Sequence, residues 1–345
     1  QTTGTLDDAK NNVAIGGIAL DAITSGDYNT AIGYDALTAN TTGSSNTASG
    51  YESLKSNTEA SYNTAMGYRA LKANTTGANN SAFGTMSLSA NTTGARNIAI
   101  GYTAYDGADT EDDNLAIGYA ALGGSIDGGE YNVAIGNYSL DANTSGDFNT
   151  AIGYNALTAN TTGGSNTASG LRSMYSNTTG SGNTAFGYES LYSNTDAGSN
   201  TAMGNKALKA NTTGAFNLAF GAQVLSANTT GNRNIAIGFR AYDGADEEND
   251  NLAIGYNTLG GSIAGGEYNV AIGNNSLDAA TSGDNNTATG YDALTGNTTG
   301  ADNTALGYDA GDVITTGSQN VIIGSGSDPS ANSAANQIVI GYGAS

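Results

Sequence analysis

Residues 29–45 read Asn-Thr-Ala-Ile-Gly-Tyr-Asp-Ala-Leu-Thr-Ala-Asn-Thr-Thr-Gly-Ser-Ser, and at Asn46 the text begins again with Asn-Thr-Ala-Ser-Gly-Tyr-Glu-Ser-Leu. The opening Asn recurs at 12, 29, 46, 63, 80, 97, 114, 132, 149, 166, 183, 200, 217, 234, 251, 269, 286, 303 and 320, and Gln337 holds the twentieth place. All but two of the spacings are the same as that from Asn29 to Asn46, and those two, from Asn114 and from Asn251, are longer by a single position. So strict a period is the mark of a repeat architecture in which each unit stacks on its neighbours.

Counting from the anchor Asn as position 0, position +4 is Gly in all 20 copies and +2 is Ala in 18, with Ile322 and Val339 as the exceptions. Position +3 is mostly Ile, Met or Phe, +1 is Thr, Ser, Val, Ile or Leu, and +8 is mostly Leu. This is period-2 alternation, the pattern of a strand with a small face and a β-branched or bulky face. A second short segment such as 34–37 follows the Gly, and Asn, Thr and Gly supply the closing turn.

A repeat of this length accommodates two strands of about five residues and two bends, but not a helix with a strand and loops. The expected fold is therefore all-β: a parallel β-roll or β-solenoid of about 20 turns. The invariant Gly marks a backbone position with positive φ or one that a neighbouring strand approaches too closely for a Cβ. Two packings are open at this stage. Ala and Gly inside would leave the +1 and +3 side chains outward, to be covered by a partner subunit; the reverse would make a self-sufficient monomer. Thr47 with Ser49, Thr167 with Ser169, and Thr287 with Thr289 make the bulky face locally polar.

The composition excludes several functions. The chain has 345 residues, 51 Gly, one Pro, and no Cys, His or Trp. Disulfides and Cys- or His-based metal centres are out, as is the usual general base. A formal net charge of −21 argues against nucleic acid and anionic membranes as partners. No apolar run is long enough to span a bilayer, so no membrane insertion is expected.

In order along the chain, residues 1–11 precede the repeat as a lead-in strand or arm, and 12–345 read as one continuous solenoid. A longer repeat overlies the short one. The turn at Asn132 returns at Asn269 and that at Asn97 returns at Asn234, both by the same offset, giving blocks 12–131, 132–268 and 269–345. Whole-block duplication leaves this pattern. The first and last turns are apolar and carry no evident cap, which suits end-to-end stacking or flanking domains.

The Asn-x-Ala-Ile-Gly-x-x-Ala/Ser core resembles the head repeats of YadA-like trimeric autotransporter adhesins and the Asn-Thr-Ala-Ile-Gly-Tyr-x-Ala-Leu-x-x-Asn-Thr-Thr-Gly repeats of phage tail fibres and bacterial surface fibres. The resemblance covers residues 12–342. It implies a left-handed roll, usually three side by side, displayed outside the cell or on a virion as an adhesive or structural stalk. The adhesin repeat is shorter than this one, and the family offers no catalytic residues to carry over.

Three sets of residues are candidates for chemistry. Asn40, Asn74, Asn91, Asn143, Asn160, Asn177, Asn211, Asn228 and Asn297 each open an Asn-x-Ser/Thr acceptor for N-glycosylation; the same residues also suit a turn that needs a left-handed conformation. Asp106, Asp109 and Asp112, with Asp243, Asp246 and Asp250 in the copied loop, are closely spaced oxygen ligands of the kind Ca²⁺ takes, or a solvated acidic loop. Tyr34, Tyr51, Tyr68, Tyr102, Tyr119, Tyr154, Tyr188, Tyr256, Tyr291 and Tyr308 form a column at +5: a structural aromatic ladder or a platform for sugars.

No two carboxylates stand apart from the repetitive background as a glycosidase pair would, so no catalytic residue is assigned and no enzyme is expected. The sequence reads as an extracellular structural or adhesive fibre that self-assembles as a filament or trimer. The alternative is a binding module for surface glycans, or for ice through the +1 Thr column, which Ile98, Leu115, Leu218, Ile235 and Leu252 interrupt.

Overall fold

The structure, a computed structural model, describes residues 9–107, 109–124, 127–244, 246–261 and 265–345. It divides into two compact units, Gln1–Leu171 and Arg172–Ser345. Of the lead-in 1–11, residues 1–8 lie outside the described part; Lys10 already joins the stack, its carbonyl accepting from Tyr28 N at 3.1 Å.

Among its described residues the first unit holds ten strands of three residues each: β1 (Val13–Ile15), β2 (Thr30–Ile32), β3 (Thr47–Ser49), β4 (Thr64–Met66), β5 (Ser81–Phe83), β6 (Ile98–Ile100), β7 (Leu115–Ile117), β8 (Val133–Ile135), β9 (Thr150–Ile152) and β10 (Thr167–Ser169). Each pairs in parallel with the next in unbroken register, +1 on +1, +2 on +2 and +3 on +3. The second unit repeats this arrangement with β11 (Thr184–Phe186), β12 (Thr201–Met203), β13 (Leu218–Phe220), β14 (Ile235–Ile237), β15 (Leu252–Ile254), β16 (Val270–Ile272), β17 (Thr287–Thr289), β18 (Thr304–Leu306), β19 (Val321–Ile323) and β20 (Ile338–Ile340). Its nearest-neighbour pairing is again parallel throughout. The expected β-solenoid is therefore the observed fold.

The interior question is decided in favour of the small residues. The +2 Ala of β2 through β18 is fully buried, as are the +7 residue (Ala or Ser in most turns) and the +8 Leu of most turns, for example Ala36 and Leu37. Each buried Leu contributes about 1.5–3 kcal/mol, so the Leu column is the principal apolar ballast of a very thin core. The invariant Gly ends the strand: Gly67 has φ +144°, and a Cβ on it would lie 2.6 Å from the Gly84 carbonyl carbon of the next turn. Only a residue without a side chain fits.

The second segment differs from the expectation of a five-residue strand. Asp35 and Leu37 have φ of 60° and 50°, and the same positions, +6 and +8, are left-handed in most turns. Bulky side chains seldom adopt this conformation, which costs about 1–3 kcal/mol per residue. The compensation is between turns. Leu37 N donates to Ser53 O above at 3.1 Å, whereas Asp35 N donates to Gly17 O below at 3.3 Å. Alternating φ thus turns the +6 and +8 amides to the neighbouring turns while aiming Leu inward.

Candidate functional site

Because Ala occupies the inside of the sheet, +1 and +3 face outward. None of these strand positions is charged, although the chain has 10 Lys or Arg and 31 Asp or Glu. In the first unit Ile32, Met66, Phe83, Ile98, Ile100 and Ile152 are exposed on this face; in the second, Phe186, Phe220, Ile235, Ile272 and Leu306 are. The result in each unit is a continuous uncharged strip, apolar at +3 except at the hydroxyl-bearing rungs β3, β10 and β17, with Thr or Ser at +1 in half of the strands.

Beyond the Gly, the +5 column also points outward. Tyr34–Tyr51, Tyr51–Tyr68, Tyr102–Tyr119, Phe239–Tyr256 and Tyr291–Tyr308 stack with centroids 5.4–5.8 Å apart and planes within 17°. Tyr154 meets Tyr138 edge-on at 6.1 Å, and the Lys206 ammonium lies 6.0 Å from the Tyr188 ring. The column is thus a ladder for most of its members. Stacked rings cover one another's faces and turn edges and hydroxyls to solvent, whereas a sugar platform needs open faces.

The leading Asn of each Asn-Thr-Thr/Ser loop is part of the core, while the two residues after it are half-buried or exposed. Asn40, Asn74, Asn91, Asn143, Asn160, Asn177, Asn211, Asn228 and Asn297 are all fully buried. Asn74 Nδ2 donates to Gly77 O at 2.9 Å and to Asn57 Oδ1 of the turn below at 2.9 Å, and Asn91 Nδ2 donates to Asn74 Oδ1 at 2.8 Å. The nitrogen to which an N-glycan would be attached is inside the fold, engaged in this +11 ladder.

A second amide ladder, which motif reading passed over, runs through the anchors. Asn63 N donates to Asn46 Oδ1 at 3.0 Å and Asn80 N to Asn63 Oδ1 at 2.9 Å, while Asn63 Nδ2 donates to Gly77 O at 2.9 Å. The signal was the strict recurrence of the anchor itself: a polar residue at every turn of a thin roll has to be satisfied by its own copies.

The acidic loops have partners of their own. Asp109 accepts from the Thr92 hydroxyl; Asp112 accepts from Ala95 N at 2.7 Å and pairs with Arg96 at 2.9 Å. Arg96 also pairs with Asp113 at 2.7 Å and holds its carboxyl below the usual range, as Arg233 does for Asp250. In the copied loop Asp246 accepts from Thr229, and Asp243 pairs with Arg240 at 2.7 Å. Burial raises the Asp106 carboxyl. Among the described residues no three His, Cys, Asp or Glu side chains gather as a metal-holding group.

The groups that organise these loops are Glu111 and Glu248, both buried at +14, where Gly or Ala usually stands. Glu111 Oε2 accepts from Asp109 N at 3.0 Å and Thr110 N at 3.1 Å, and its Oε1 accepts from Gly128 N at 3.1 Å. Glu248 repeats this with Asp246, Glu247 and Gly265. In the same turns Tyr105 and Tyr242 replace the core Leu, and each buried hydroxyl accepts from the next anchor, Asn114 or Asn251, at 2.6 Å. Their phenol pKa values are pushed up, mainly by burial.

Elsewhere the basic residues are tied down. Glu52 receives Lys55 at 3.0 Å, Arg69 at 2.8 Å and Lys72 at 2.9 Å, and Lys72 above all holds its carboxyl down to about 2. Lys209 bridges Glu189 at 2.8 Å in the second unit. No helix among the described residues is long and apolar enough to cross a membrane. No protein-family model matches the chain, and no curated protein matches it.

Proposed function

We propose that this chain is a segment of an extracellular structural or adhesive fibre that associates with copies of itself through the outward face of its sheet. The observation that carries the reading is the uncharged +1/+3 strip, continuous through each unit, in a protein of net charge −21. Exposed apolar surface of this extent favours burial against a partner, and charge elsewhere limits unspecific clumping. The absence of His and Cys from the sequence supports a role without catalysis. Placement outside the cell, on a cell surface or virion, rests on the resemblance to adhesin-head and tail-fibre repeats.

A glycan-binding role is the second reading. The row of Tyr hydroxyls favours it, and the mutual stacking of the rings weighs against it.

The test is the mass of the full chain in dilute solution by light scattering, beside an Ile100→Asp, Ile117→Asp double variant. The proposal expects a defined multiple of the 34.3 kDa chain that the variant shifts to the single-chain mass with its circular dichroism unchanged. A monomeric parent protein would overturn it.

A further inference from the structure

The +5 tyrosines carry a chemistry that self-association does not use. Tyr34, Tyr51 and Tyr68 stack in succession with centroids 5.7 and 5.4 Å apart and planes within 13°. In the second unit Tyr291 and Tyr308 stand 5.5 Å apart at 9°. All five rings are exposed. The chain has 20 Tyr but no Trp, Cys or His, so phenols are its most readily one-electron-oxidised side chains. The four Met residues react differently, by two-electron oxygen transfer to sulfur.

We propose that this ladder is a modification site at which a peroxide-driven haem peroxidase couples the tyrosines of adjacent turns into dityrosine, stapling those turns together. Each of two neighbouring phenols gives up one electron and its hydroxyl proton, forming two phenoxyl radicals. Their ortho carbons join in a C–C bond, and the ortho C–H protons return to the phenol oxygens as both rings regain aromaticity. The two electrons and two protons released reduce one hydrogen peroxide to two waters. The stack supplies what free tyrosine lacks: a second ring already alongside in nearly the same orientation, on side chains with room to rotate.

The experiment treats the dilute full chain with a haem peroxidase and hydrogen peroxide, follows dityrosine fluorescence, and maps linked peptides by mass. The expected result is loss of two hydrogens per link, with Tyr34–Tyr51, Tyr51–Tyr68, Tyr102–Tyr119 and Tyr291–Tyr308, the exposed stacked pairs, dominating within single chains. Tyr51→Phe, which keeps the ring, should abolish the first two links and leave the other two. The urea-unfolded chain should show no preference for tyrosines one repeat apart. Absence of dityrosine, links spread as in the unfolded chain, or links mainly between chains at high dilution would overturn the proposal.

Discussion

Replacing Asn74 by Ala tests the internal amide ladder directly. Asn74 is fully buried and takes part in three hydrogen bonds: its Nδ2 to Gly77 O and Asn57 Oδ1, and its Oδ1 from Asn91 Nδ2. Gly77 O keeps Asn63 Nδ2 as a donor at 2.9 Å, so it remains satisfied. Asn57 Oδ1 and one hydrogen of Asn91 Nδ2 do not. Two buried orphans at about 1–3 kcal/mol each give an expected loss of about 2–6 kcal/mol. Asn91→Ala is the internal control. Among the described residues Asn91 Oδ1 already lacks a partner, so this change orphans Asn74 Oδ1 but removes one orphan. It should cost at least about 1 kcal/mol less than Asn74→Ala. Since stacked repeats open locally, the assay is amide hydrogen exchange resolved around 57–91, with equilibrium urea unfolding of both variants. A loss below about 1 kcal/mol for Asn74→Ala, or equal losses for the two variants, would refute the ladder as a source of stability.

Three further outcomes follow from the geometry. Gly67→Ala should unstack the first unit, because φ of +144° and a Cβ 2.6 Å from the Gly84 carbonyl carbon leave no room; thermal unfolding and soluble yield would show it, and a variant as stable as the parent would refute the Gly reading. Asp328 stands at +8 in place of Leu, and burial, with the nearby Asp312 charge, pushes its carboxyl up to about 6. The folded state therefore holds a proton that the unfolded chain releases near 3.8, so this group's stability is full below that value and is lost as pH rises through 6. Asp328→Leu should raise the melting temperature at neutral pH and flatten its dependence between these two values. In a glycosylating secretory host, folded protein should carry no N-glycan at Asn74, Asn160 or Asn211, as peptide mass mapping would show, because the acceptor nitrogens are buried and bonded; a folded, glycosylated product would contradict this.

Much of the candidate surface was legible in the sequence. The +5 column gave the Tyr ladder, and the +1/+3 columns gave the outward strip as one of two packings. Asn40 and its counterparts were read as turn residues or sugar acceptors because a tripeptide motif sees only its own turn. Their partners lie one turn away and exist only once turns stack, as with Asn57 Nδ2 and Asn40 Oδ1 at 2.9 Å. Glu111 was hidden for a similar reason: its three amide donors are spread over two turns, so it looked like one more acid in an acidic loop. The left-handed backbone at positions +6 and +8 was not foreseen because Leu at +8, and Glu, Arg or Met at +6 as in Glu52, Arg69 and Met86, have no local reason to adopt positive φ; the inter-turn amide bonds impose it.

The sequence by itself determined the period, the parallel stacking and the place of the invariant Gly, because each follows from spacing and from which residue can sit at a crowded backbone position. Tertiary structure alone decided which face is inside. Alternation of Ala with Ile or Thr is the same pattern read from either side of a strand. Only the depth of the roll chooses: it is shallow enough that Ala31 and Leu37 with Asn29 and Asn40 fill it, and the bulkier side chains are left for the surface.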